Sequence, residues 1–315
     1  MMTSLKMWCL LSLCVLLSIA PTLSEVLQAM TQCEGFLLGE KSPEVPKILE
    51  KGEIQQKQRY KAICQTYKNV STFVTLYDTK NKIPVLSAYK YTGAEGGRPK
   101  KDVWKIEPQL EDSKSNKNIK ESDRANYNNQ ASDNNYINNE NYSRGHLFPS
   151  SYARDRNGKE STCTLTNIVP QVQDFNENSW YRMESCVKCV LDRHCRNNND
   201  DPEAYLLTGA QPGTKKLNNK VNIPTMLWSA FCCYNQTNRK WLASAFWANN
   251  VEDKSPNVYV ATRTLQQLYD KLSTGSKTFN AFPGGQNCPL QETVAQLYPA
   301  LNRKCYCQRP HQRGG

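Results

Sequence analysis

Tyr142-Ser143-Arg144-Gly145-His146-Leu147, Thr166-Asn167-Ile168-Val169-Pro170-Gln171 and Asp174-Phe175-Asn176-Glu177-Asn178-Ser179-Trp180-Tyr181-Arg182-Met183-Glu184 follow one another closely, and their reading decides the fold. The first is a polar stretch that delivers a histidine. The second overlaps residues 164–169, whose β-branched content predicts a strand. The third opens a helix predicted over residues 174–194, because Trp180, Met183, Val187, Val190 and Leu191 recur at helical spacing and make one apolar stripe.

Upstream, Thr72-Phe73-Val74-Thr75-Leu76-Tyr77 and Ile83-Pro84-Val85-Leu86-Ser87-Ala88-Tyr89 flank the polar residues 78–82, which predicts a hairpin. Downstream, strands are predicted at 204–207, 226–234 and 241–247, and an amphipathic helix at 262–272. Strands and helices mix without strict alternation, so the expected class is α+β. Residues 111–142 hold ten Asn and almost no large aliphatic side chains, which predicts a long surface loop.

The 315 residues include 40 Lys or Arg against 29 Asp or Glu, a net charge of +11, and are 38% hydrophobic. That is enough apolar material for a core and excludes a wholly disordered chain. The longest apolar run, residues 7–20, is shorter than the ~20 residues that span a bilayer. Lys6 precedes it and Thr22-Leu23-Ser24 follow, the pattern of a signal peptide over residues 1–24 cut after Ser24. The expected organisation is then one domain over 25–307 and a disordered tail over 308–315. Two of the 13 cysteines lie in the leader, and 13 − 2 = 11 remain. In an exported chain these read as a disulfide framework, with one cysteine left over for a possible homodimer. Asn69, Asn141 and Asn235 begin glycosylation sequons, which fit a secreted, extracellular chain. The basic excess implies a polyanionic partner.

G-x-S-x-G, G-x-x-x-x-G-K-[ST] and H-E-x-x-H patterns are absent. Of His146, His194 and His311, only His146 lies in a polar loop leading to a predicted strand. Ser143-Arg144-Gly145-His146 resembles the D-R-G-H motif of the DNA/RNA non-specific endonuclease family. Residues 166–171 resemble that family's second-strand motif, and 174–184 its metal-binding helix. Weaker similarities follow at Leu207-Thr208-Gly209, at Ile223-Pro224 with Trp228, and at residues 245–250. Cys33, Cys64, Cys232, Cys233 and Cys288 are similar to those of the vertebrate endonuclease domain-containing 1 proteins.

The resemblance implies a ββα-metal (His-Me) finger with a central antiparallel sheet flanked by helices. It also implies hydrolysis of DNA and RNA without sequence specificity, leaving 5′-phosphates. His146 would be the general base, Asn176 the direct ligand of Mg²⁺ or Mn²⁺, and Glu184 a ligand through water. Elementary chemistry agrees with these roles. A neutral imidazole suits proton abstraction near pH 7, and an amide oxygen binds a hard cation without cancelling its charge. Eight residues of helix separate Asn176 from Glu184 by ~12 Å along the axis, too far for both to bind one ion directly. Arg144 suits a phosphate clamp, and Asn167 would hold the helix or strand in register. Arg98, Lys100 and Lys101 fall where the family places another phosphate-contacting arginine.

Ser143 departs from the family's Asp, and a hydroxyl cannot supply that charge to orient Arg144. It also makes Asn141 a sequon beside the proposed base. Both favour a rival reading: a weak or inactive extracellular nucleic-acid or polyanion-binding protein on the same scaffold. Taken singly, Asn176 reads equally as a helix cap and Glu184 as half of an ion pair. Cys186, Cys189, His194 and Cys195 admit a zinc site, although disulfides account better for cysteines in an exported chain.

Overall fold

The computed structural model describes residues 25–97, 103–137, 139, 141–255, 258–301, 305 and 307. The expected leader 1–24, the tail 308–315 and Arg98, Lys100 and Lys101 lie outside them. The frame is an eight-stranded, fully antiparallel sheet. Its strands run, from edge to edge, Val26–Leu27, Tyr60–Tyr67, Val70–Asp78, Ile83–Tyr91, Ala204–Gln211, Met226–Asn235, Lys240–Asn249 and Thr262–Arg263. The predicted hairpin of Val70–Asp78 with Ile83–Tyr91 is present. Ile83–Tyr91 and Ala204–Gln211 pair side by side, so everything between them leaves the sheet and returns to it.

Both faces of the sheet are covered, which explains its nearly unbroken hydrophobic strands. Along Met226–Asn235, Leu227, Phe231 and Cys233 join the core shared with the helix Tyr181–His194. Met226, Trp228, Ala230 and Cys232 join the opposite core, with Leu37, Leu49, Leu265, Leu268 and Phe279. The period of two therefore sends the adjacent Cys232 and Cys233 to different faces, where they bond Cys288 and Cys195 respectively. Cys33–Cys64 fastens the N-terminal segment, and Cys186–Cys307 and Cys189–Cys305 fasten the helix. Three of the four donors of the conceivable zinc site are thus engaged as disulfides.

Cys163 is the described cysteine outside these bonds, and it is 1% exposed. A covalent homodimer through the eleventh cysteine would need a thiol at the surface, and the fold encloses this one. Asn69 and Asn141 are exposed. Asn235 is buried, with its Nδ2 facing Tyr298 Oη at 3.4 Å, so the fold does not present this sequon for a glycan.

Two predicted boundaries shift. Residues 165–167 form a 3₁₀ turn, and the strand begins at Ile168 and runs to Val172. Thr262–Arg263 pairs with the sheet edge, so the last long helix is Leu265–Leu272. Thr264 caps it by accepting a hydrogen bond from the Gln267 N–H. The Asn-rich segment is not wholly superficial: Ile119, Ala131 and Tyr136 are buried, and a 3₁₀ turn spans Asp133–Tyr136.

Glu25 and Glu107 form a buried carboxyl pair under the sheet edge. Burial, and then the Glu107 charge, push Glu25 far above the usual carboxylate range; burial raises Glu107 also. Carboxyls raised in the folded state stabilise it fully below the ordinary value of 4.5, and that stability is lost as pH climbs toward about 8. Glu107→Gln removes one buried charge. Thermal melts are expected to show the variant about 1–3 kcal/mol more stable than the parent at pH 8, with little difference at pH 5.

Candidate active site

The segment inserted between the two central strands builds a second, smaller unit. Tyr142–His146 pairs antiparallel with Ile168–Val172, setting His146 opposite Ile168 and Tyr142 opposite Val172. Gly145 is required here: a Cβ would lie 2.6 Å from the Cβ of Gln171, whose buried side chain packs over it. Asn250 ties the hairpin to the sheet, accepting from Val172 N–H (2.8 Å) and donating to Pro170 O (3.0 Å) and Pro224 O (3.0 Å).

Asn167 is buried and uses its whole amide. Its Oδ1 accepts from Ser87 Oγ (2.9 Å) and Phe148 N–H (3.0 Å), and its Nδ2 donates to Phe148 O and Thr162 O, both at 3.1 Å. It thereby locks the chain just after His146 to the sheet strand Ile83–Tyr91.

The hairpin is followed directly by one helix in three parts: Gln173–Phe175, a π turn over Asn176–Trp180, and Tyr181–His194. The π turn has a tertiary cause. Asp253 accepts both the Ser179 N–H (3.0 Å) and the Ser179 hydroxyl (2.7 Å), drawing that N–H away from the ordinary helical ladder. Wider i→i+5 pairing absorbs one residue, so the eight steps from Asn176 to Glu184 rotate like seven, about two full turns. The two side chains then fall on one face rather than ~80° apart.

That face borders a cleft of about 650 Å³ lined by Arg144, His146, Lys159, Asn176, Glu177, Tyr181, Glu184 and Lys188. The hairpin and helix thus bring the four principal sequence candidates, Arg144, His146, Asn176 and Glu184, to one cavity. Asn176 Nδ2 donates to Ser143 Oγ at 3.0 Å, which leaves its Oδ1 as the acceptor available to a ligand. Ser143 therefore orients Asn176. The Glu184 carboxyl is enclosed by the cleft although its residue keeps some surface, and burial raises it to about 8, with the Trp180 indole acting in the opposite direction. Tyr152 donates to the Glu184 backbone oxygen at 2.7 Å and holds that turn.

The His146 ring lies 5.6 Å from the Trp104 ring, and its Nε2 is 3.8 Å from the Cys163 sulfur. Arg144 lies over Trp104 and Tyr136, at 5.1 and 5.4 Å from the ring centroids, and its Nη2 is 2.5 Å from Asp133 Oδ1. Asp133 is a residue that sequence reasoning missed. It supplies, from the Asn-rich segment, the negative charge that Ser143 cannot. The aspartate before Tyr136, an aromatic amid asparagines, was the only available signal. Lys159 is buried and donates to the carbonyls of Glu95, Gly96 (2.8 Å) and Gly97 (3.3 Å), fixing one cleft wall just before Arg98.

Among the described residues no cluster of three His, Cys, Asp or Glu side chains could hold a metal. The donors that do meet in the cleft are an amide oxygen and an enclosed carboxyl, both hard oxygen donors. They suit a hard divalent cation that keeps most of its waters.

An antiparallel hairpin carrying a histidine, packed on a helix carrying an asparagine and a glutamate, defines a protein of the ββα finger class. A model of the DNA/RNA non-specific endonuclease family matches residues 50–283, and the chain belongs to that family. The endonuclease domain-containing 1 protein of Homo sapiens is 34% identical over 178 residues, covering 54% of this chain and 34% of its own length. That of Mus musculus is 33% identical over 177 residues, with the same coverage. The chain thus matches about a third of the length of these curated relatives. A chain in the crystal structure of the EndoG/EndoGI complex is similar at TM-score 0.46 and 17% identity, over 66% of this chain and 83% of that one.

Proposed function

We propose that this chain is a secreted, divalent-metal-dependent endonuclease that hydrolyses DNA and RNA without sequence specificity and leaves 5′-phosphates. The observation that carries the reading is the convergence of His146, Arg144, Asn176 and Glu184 on one cleft. In it, His146 takes the proton of the attacking water. Arg144, held by Asp133 and two aromatic faces, receives a phosphate oxygen. Asn176 would hold Mg²⁺ or Mn²⁺ directly and Glu184 through water, with Ser143 orienting the amide. When bound, the ion supplies positive charge to the phosphate and to the leaving oxygen. Lys159 and Lys188 add positive potential to the walls. Because these groups address a backbone common to all nucleic acids, base sequence is not read. The five disulfides support an oxidising, extracellular destination.

Plasmid DNA and total RNA incubated with the purified, glycosylated protein are expected to be cut in Mg²⁺ and spared when the chelator EDTA is present. A weak or non-catalytic polyanion-binding role is the second reading, favoured by the exposed Asn141. Its backbone oxygen accepts from Gln173 N–H at the start of the helix bearing Asn176, so a glycan there would stand near the cleft. That reading predicts salt-sensitive binding with no scission in either condition. Asp133→Ala should raise KM about tenfold with a smaller change in kcat, as expected for losing one charge-assisted bond that positions Arg144. Steady-state kinetics on a defined oligonucleotide checks this.

A further inference from the structure

Four large hydrophobic side chains stand exposed among the described residues, Val70, Tyr181, Val251 and Leu290, and Tyr181 is the aromatic one. It is 58% exposed and borders the same cleft as His146, Asn176 and Glu184. Its placement follows from the π turn. Five residues after Asn176, across i→i+5 pairing, Tyr181 falls on nearly the same face of the helix, and Glu184 and Lys188 continue that stripe at +3 and +7. The rings that touch Arg144 and His146 are already engaged with them: Trp104 packs against Arg144 and His146, and Tyr136 against Arg144. None of the ring contacts among the described residues employs Tyr181.

We propose that Tyr181 is a stacking platform for an unpaired nucleobase next to the scissile phosphate, which makes single-stranded nucleic acid the preferred substrate of this cleft. The inference rests on the nuclease reading and adds a substrate class to it. An aromatic face accepts any base, so stacking adds affinity without sequence readout. In a duplex each base is already stacked and paired, and Tyr181 can reach one only after a few kcal/mol of unstacking. The exposed ring therefore favours flexible single strands, loops and frayed ends over intact helix.

The test separates binding from cutting. Fluorescence anisotropy of a labelled single-stranded oligonucleotide and of its duplex is measured in Mg²⁺ and at fixed salt, because phosphate contacts depend on salt. The protein carries His146→Ala so that nothing is cut, and position 181 is Tyr, Phe or Ala. The Ala variant should bind the single strand about 5- to 150-fold more weakly. The Phe variant should bind like the parent, and duplex affinity should change less than twofold in either.

Equal losses on single strand and duplex, or no loss on the single strand, would overturn the proposal. So would failure of the Tyr181 protein to bind nucleic acid at all. The nuclease reading is tested separately, with His146 intact. Tyr181-dependent binding without any scission upholds the platform and defeats hydrolysis, whereas scission with no Tyr181 dependence does the reverse.

Discussion

His146→Ala lowers the rate of magnesium-dependent strand scission by about 10²–10⁴-fold, the contribution of a positioned general base. The ring sits in the cleft between Trp104 and Cys163, opposite the helix that carries Asn176. Its removal would delete the proposed proton acceptor while Asn176, Glu184 and Arg144 keep their own anchors in Ser143, the Glu184 turn and Asp133. KM should therefore move little and kcat fall, which single-turnover kinetics on a labelled oligonucleotide resolves. A variant as fast as the parent would remove His146 from the chemistry. Because the backbone pairing of His146 with Ile168 does not involve the ring, melting temperature should be nearly unchanged.

Asn167→Ala produces the largest loss of stability, about 3–5 kcal/mol, in a protein whose total is on the order of 5–15 kcal/mol. The amide is buried, and its loss leaves Ser87 Oγ, Phe148 N–H, Phe148 O and Thr162 O without the bonds it makes. Each orphaned buried group costs about 1–3 kcal/mol, and partial re-pairing limits the sum. Asn167→Asp retains an acceptor but replaces two donors with a buried charge, so it should be no milder. Denaturant melts of both variants check the ranking. A loss below 1 kcal/mol would mean the segment after His146 is held some other way. The expected companion is reduced cutting even in the folded fraction, since Asn167 fixes the loop that continues from His146.

The hairpin of Val70–Asp78 with Ile83–Tyr91, the later strands and the long helix were readable because each carries its own period. Apolar residues alternate or cluster in the strands and recur every three to four positions in the helix. The ordered motifs around His146, Asn167 and Asn176 identified the family for the same reason: the chemistry is compressed into neighbouring elements. What escaped the sequence depends on distant groups. The π turn that aligns Asn176, Tyr181 and Glu184 is drawn out by Asp253, which reaches Ser179 from 74 residues away. Asp133 lies in a segment whose composition suggests only solvation, yet its carboxylate is the counter-charge of Arg144. The burial of Asn235 and the divergence of Cys232 and Cys233 depend on which side of a two-faced sheet each occupies. Residues 165–167 carry strand-like composition but form a 3₁₀ turn, with the Asn167 amide bonded to Phe148 and Thr162.

The chemistry of the cut ends tests the central claim most directly. DNA and RNA oligonucleotides of one sequence, labelled at one end, are incubated with the purified protein in Mg²⁺ and in EDTA, and the new termini are identified. The account predicts scission of both polymers in Mg²⁺ alone, each new end a 5′-phosphate facing a 3′-hydroxyl. Intact DNA in Mg²⁺, or RNA cut in EDTA to leave 2′,3′-cyclic phosphates, would contradict it.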